Sequence, residues 1–111
     1  MPDRTRADIV AIYLGYGIPV EIKGQWHPNV WNAASVQLVQ QYARDWRADD
    51  RGIYLVLWFG AVPGKNLPLH PLGWDRPATS DQLREMLVAG LAATERGRID
   101  VVVLDVSKPE R

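Results

Sequence analysis

Residues 52–59 read GIYLVLWF, an unbroken run of β-branched, aromatic and aliphatic side chains. It is too short for a core helix and lacks the polar alternation of a half-exposed strand, so it reads as a central strand covered on both faces, as in a parallel sheet. Working outward fixes the order of elements. Upstream, residues 30–46 carry Trp31, Ala34, Leu38, Tyr42 and Trp46 at three- and four-residue steps, which predicts an amphipathic helix. Before that, residues 8–14 (DIVAIYL) and 18–24 (IPVEIKG) read as two strands joined at Gly15-Tyr16-Gly17, an antiparallel hairpin. Pro19 is tolerable near the start of the second strand.

Downstream, residues 60–78 hold four Pro and three Gly without periodicity. A connection of this length is functional or mobile in most small domains, and a flexible surface loop is the expectation here. Thr79-Ser80-Asp81-Gln82 resembles a capping box with Thr79 as N-cap. The helix it opens is predicted to run to about Glu95 and stop at Gly97. Residues 98–106, RIDVVVLDV, read as a last strand. The order is β-β-α-β-α-β: an α/β fold with a small mixed sheet, one antiparallel edge strand beside three parallel ones, and helices packed on it.

The chain of 111 residues suits one domain over 1–111, and 47% hydrophobic residues supply a real core. No apolar stretch approaches the roughly 20 residues that span a bilayer, and MPDRTRAD at the front is polar, so a cytoplasmic location is expected. The absence of cysteine excludes disulfides, thiolate zinc sites and a cysteine nucleophile. The formal net charge of zero argues against a binder that coats nucleic acid with its whole surface, though not against a local basic groove.

The chemistry concentrates on residues 18–24. Side chains alternate along a strand, so Ile18, Val20 and Ile22 share one face, which reads as core, and Glu21 and Lys23 share the other. With the turn centred near Tyr16, Asp8 falls opposite Lys23 and diagonal to Glu21, on the same face. Opposed positions lie about 5 Å apart at Cβ and diagonal ones about 7–8 Å, close enough for two carboxylates to share a hard cation. Mg²⁺ or Mn²⁺ suits such a site, because these ions keep waters and bind phosphate oxygens. A lysine beside the cation can orient a nucleophile or offset developing negative charge. On the following helix, Gln37 and Gln41 fall on or beside the apolar stripe and require buried partners, which the site could supply.

Asp8, then Glu21-Ile22-Lys23, then a helix carrying Gln37-Leu38 and Tyr42, resembles the PD-(D/E)xK nuclease superfamily over roughly residues 6–60. The resemblance implies a restriction-endonuclease-like fold and metal-dependent hydrolysis of phosphodiester bonds in DNA or RNA. It implies Asp8 and Glu21 as metal ligands, the Ile22 carbonyl as a third, Lys23 as catalytic base or electrostatic stabiliser, and Gln37 as the auxiliary helix residue. Ala7 stands where the family has proline, and only seven residues precede Asp8, so the family's first helix and strand are missing. The expectation is a C-terminal fragment of a longer protein, or a homodimer or partner domain that covers the 8–14 edge strand.

Competing readings attach to the same residues. Glu21 and Lys23 could form a same-face ion pair worth at most about 1 kcal/mol, in a nuclease-like domain without catalysis that serves assembly, or in an unrelated α/β binding module. His27 and His70 are expected at the surface. Trp26, Trp31 and Trp46 are expected to pack. Trp74 and Lys65, in the long loop, could touch nucleic acid, and Asp100 and Asp105 are assigned no role.

Overall fold

The computed structural model describes residues 9–13, 16–39 and 51–107. Its sheet has the order β1-β2-β3-β4, with β1 (Ile9–Tyr13) antiparallel to β2 (Tyr16–Gly24), and β3 (Gly52–Trp58) and β4 (Ile99–Asp105) continuing parallel to β2. This is a small mixed α/β architecture with three parallel strands.

The hairpin is tighter than the sequence suggests. Tyr13 pairs with Tyr16, so Tyr16 and Gly17 belong to β2 and not to the turn. Ile9 therefore pairs with Val20, a register shifted by two positions from the one that sets position 8 opposite position 23. A shift of two keeps every side chain on its face and changes only its partner. Asp8 itself lies outside the described residues. Pro19 pairs with Val10 of β1, and pairing with β3 begins only at Val20, so its missing N–H interrupts no bond to β3.

The connections between parallel strands step in one direction across the sheet, β2 to β3 to β4. Crossovers of one hand then fall on one face. A single core joins Val30, Ala33, Ala34 and Leu38 on the first connection, Leu83, Leu87 and Leu91 on the second, and Tyr54, Val56, Trp58, Ile99 and Val101 on the sheet. The expectation that β3 is covered on both faces is thus corrected. Tyr54, Val56 and Trp58 are buried, whereas Ile53, Leu55 and Leu57 are half-buried, and Val102 and Leu104 beside them are exposed.

The first helix, α1 (Ala34–Leu38), is wound as a π-helix, and the predicted positions Gln41, Tyr42 and Trp46 lie outside the described residues. The second, α2 (Ser80–Ala89), begins where the capping box places it. The Thr79 hydroxyl accepts from the Gln82 N–H at 3.1 Å, while the Gln82 amide oxygen accepts from the Ala78 N–H at 2.7 Å. It ends six residues before the expected Glu95, with Gly90 as C-cap. Arg96 donates from Nε to the Leu91 carbonyl just past the helix and from a terminal nitrogen to the Ala89 carbonyl, each at 3.2 Å, the second bond satisfying a carbonyl the helix leaves open. Among the described residues no helix is long and apolar enough to cross a membrane.

Candidate functional site

Glu21 pairs with Tyr54 across the β2–β3 ladder, and Lys23 pairs with Val56. Paired positions share a face, so Glu21 and Lys23 point toward the helical layer, the same side as the core. This reverses the expectation that Ile18, Val20 and Ile22 mark the core face. GIYLVLWF is apolar on both sides, so the sequence could not say which side the helices take; same-direction crossovers decide it. Val20 is nevertheless buried, at 8% exposure.

Burial makes the acid–base pair unusual. The Glu21 and Lys23 side chains retain 5% and 13% of their accessible surface, and Lys23 Nζ lies 3.2 Å from Glu21 Oε1. The reading of a half-exposed surface ion pair does not describe this site. Its charge reaches the neighbouring strand. Burial first, and the negative charge of Glu21 second, push the Tyr54 phenol well above its ordinary pKa. Tyr54 keeps its proton and donates it to the Val30 carbonyl at 2.6 Å, which ties β3 to the segment entering α1.

Gln37 lies on the π-helical turn of α1, and α1 packs on β2 and β3. Its Oε1 is buried with no hydrogen-bond partner among the described residues. π-Helical turns recur at functional sites, and an unmatched buried amide oxygen is uncommon enough to require a reason. The structure therefore brings Glu21, Ile22 and Lys23 together on β2, with Gln37 on the helix packed against that strand. Oxygen donors with no imidazole or thiolate suit a hard cation such as Mg²⁺ or Mn²⁺. Among the described residues, no three His, Asp or Glu side chains gather closely enough to hold a metal ion by themselves.

The sequence reading misses Gln25. It continues the alternation Glu21-x-Lys23-x-Gln25 beyond the end of β2 and is only 3% exposed. Its Nε2 donates to the Gly60 carbonyl at 2.8 Å, and its Oε1 accepts a short hydrogen bond from the Phe59 N–H. The amide thus clamps the exit of β2 to the exit of β3. Gly60 holds φ of 78°, a conformation that favours glycine.

The long loop is pinned, against the expectation of a flexible segment. Trp31 Nε1 donates to the Pro68 carbonyl and Arg76 Nε to the Leu67 carbonyl, both at 2.8 Å. His70 is buried, contrary to its expected surface position, and lies between two indoles: it stacks on Trp74 at 4.2 Å and meets Trp31 edge-on at 4.9 Å. Its Nδ1 accepts from the Leu72 N–H at 3.0 Å. Trp26 tilts against Phe59, with ring centroids 4.7 Å apart, and Lys65 Nζ lies 4.9 Å from the Trp26 ring. His27 is half-buried, and its Nδ1 accepts from the Asn29 N–H at 3.0 Å. Asp105 closes a local turn by accepting from the Ser107 hydroxyl and N–H, which lowers its pKa.

No family model, curated protein or solved structure matches this chain.

Proposed function

We propose that this chain is a metal-dependent phosphodiester hydrolase acting on DNA or RNA, with a restriction-endonuclease-like site built on β2. The observation that carries the reading is the Glu21–Lys23 pair, held at 3.2 Å beneath the helical layer. Two apolar residues of similar volume would stabilise a small domain at least as well as a buried ion pair. Keeping an acid and an amine there is better explained by chemistry. Glu21, the Ile22 carbonyl and Asp8 are the proposed holders of Mg²⁺ or Mn²⁺, with the Gln37 amide oxygen in support. Ile9 pairs with Val20, and Asp8 and Glu21 are their neighbours in sequence, which is why Asp8 remains in the set. The cation, when bound, supplies Lewis acidity toward a phosphate oxygen and a water. Lys23 places positive charge where the phosphorus group gains negative charge, and releases Glu21 from the ion pair as it does so. The helical layer limits bulk water around both groups.

Cleavage of plasmid and single-stranded DNA and of RNA by the whole chain, with Mg²⁺, with Mn²⁺ and with chelator, tests this reading. Activity that needs the cation and disappears in Glu21→Gln and Lys23→Met supports it. A melting temperature that neither cation raises, with no cleavage sensitive to Glu21→Gln, overturns it.

A second reading is a nuclease-like assembly module without catalysis. It is favoured by the formal net charge of zero, which gives no broad basic surface for nucleic acid. In either reading β1, at one edge of the described sheet, is proposed to be covered by a second copy or a partner domain. Sedimentation velocity across a concentration series reports whether the chain self-associates.

A further inference from the structure

At the carboxyl ends of β2 and β3 the start of the long loop folds back over a cavity of about 520 Å³, reaching from Gln25 and Trp58 to Arg76 and Pro77. Ligands of sheets with parallel strands tend to bind at this end, and the volume lies within the range of small-molecule sites. Its chemistry is lopsided. Trp58, Val62, Leu67 and Pro77 give apolar walls, Lys65 and Arg76 are the charged residues of the lining, and no carboxylate lines it. Neither cation has a carboxylate partner among the described residues. Lys65 Nζ lies over the Trp26 ring, and the Arg76 Nε–H donates to the Leu67 carbonyl, a bond that does not use its terminal nitrogens. The Gln25 amide, itself in the lining, bonds Gly60 and Phe59 and so ties the start of the loop to the end of β2.

We propose that this cavity binds one nucleotide unit, its base against the apolar walls and its phosphate at Lys65 and Arg76. An anionic group on a flat, weakly polar body is what two cations without a carboxylate partner among the described residues, beside apolar walls, complement. The choice of a nucleotide over other organic anions rests on the hydrolase reading of the β2 site. The unit could arrive as a free mononucleotide or within a single strand.

The test uses the isotopically labelled whole chain with its native sequence, in chelator, so that neither cleavage nor a metal is needed for the outcome. Deoxyadenosine monophosphate, deoxyadenosine, inorganic phosphate and a deoxyadenosine trinucleotide are titrated separately, and amide shifts are followed. The nucleotide should perturb residues 60–67 and 76–78, and bind about tenfold more tightly than deoxyadenosine or phosphate alone. Lys65→Gln, at an exposed position, should weaken it several-fold, and Arg76→Gln should do so where that variant remains folded. A trinucleotide that binds more tightly than the mononucleotide identifies a strand as the source; equal affinity identifies the free nucleotide. The proposal is overturned if the nucleotide binds no better than its two parts, if its shifts fall elsewhere, or if Lys65→Gln leaves affinity unchanged. Absence of metal-dependent cleavage by the wild-type chain, with nucleotide binding as expected, would remove the hydrolase reading and leave the cavity's.

Discussion

Glu21 lies opposite Tyr54 across the parallel β2–β3 ladder, and a fully buried phenol thus shares a face with a buried carboxylate. Desolvation and the Glu21 charge raise the phenol's pKa in the folded chain, while the unfolded chain ionises near the ordinary 10.0. A group with a raised folded pKa contributes stability that is whole below the unfolded value and is lost as pH rises above it. The expected outcome is a decline in unfolding free energy above pH 10, approaching about 1.4 kcal/mol per pH unit from this residue. Urea titrations across that range should show Tyr54→Phe with a flatter alkaline limb. At neutral pH the same variant should be less stable by about 1–3 kcal/mol, because the Val30 carbonyl loses its donor. An unchanged alkaline slope in Tyr54→Phe would discard this account.

The Glu21–Lys23 pair makes a separate prediction about coupling. Removing one partner of a buried pair leaves the other charge without its match, at a cost of about 3–5 kcal/mol. Lys23 retains more solvent contact than Glu21, so Glu21→Gln, which leaves Lys23 behind, is expected at or below the lower end of that range. The double variant Glu21→Gln, Lys23→Met should be more stable than the sum of the single changes implies. A double-mutant cycle by urea unfolding measures this directly. Additive single effects would mean that the pair is held together by its surroundings and not by mutual attraction.

How much of this was legible beforehand varies with the physics involved. The Thr79–Gln82 box marked the start of α2 because capping is a local exchange of hydrogen bonds. Its end is not legible, because Gly90 and the reaching Arg96 close the helix, and a side chain reaching back from beyond the helix leaves no periodic trace. Glu21 and Lys23 were placed on a common face by alternation alone, yet alternation does not say which face is covered. That depends on the direction in which successive crossovers step. The hairpin register was off by two because Gly15-Tyr16-Gly17 offers more than one tight turn. His70 carries no sequence signal of burial, because nothing in LPLHPLGW announces that Trp31, far away in sequence, meets its ring. Gln25 is silent in the sequence for a related reason: its partners, Phe59 and Gly60, come from the end of another strand.

Gln25 has a mechanical role that can be isolated. Its amide satisfies one carbonyl and one N–H where β3 leaves the sheet, and Gln25→Leu leaves both without that partner. The expected loss is about 1–3 kcal/mol in unfolding free energy. Hydrogen exchange should accelerate first at residues 59–62, and Gln25→Glu should not rescue the variant, because a carboxylate cannot donate to Gly60. Uniform acceleration across the sheet would mean that Gln25 is merely a packed residue.

Gln37 separates a structural role from a functional one most cleanly. A buried amide oxygen without a partner is a liability to the fold, so Gln37→Leu should leave stability unchanged or raise it by about 1 kcal/mol. If the oxygen faces a bound cation or an ordered water of the β2 site, the same change should lower Mg²⁺-dependent cleavage by about tenfold, since its contribution is one polar contact. Opposite movement of stability and activity in one variant is difficult to obtain from a packing defect, which lowers both. The comparison requires thermal melts with and without Mg²⁺ beside initial cleavage rates. Gln37→Leu should keep its melting temperature without the ion and show a smaller rise with it than the wild-type chain. A variant destabilised by several kcal/mol would show that Gln37 has a structural partner after all, and would remove it from the proposed site.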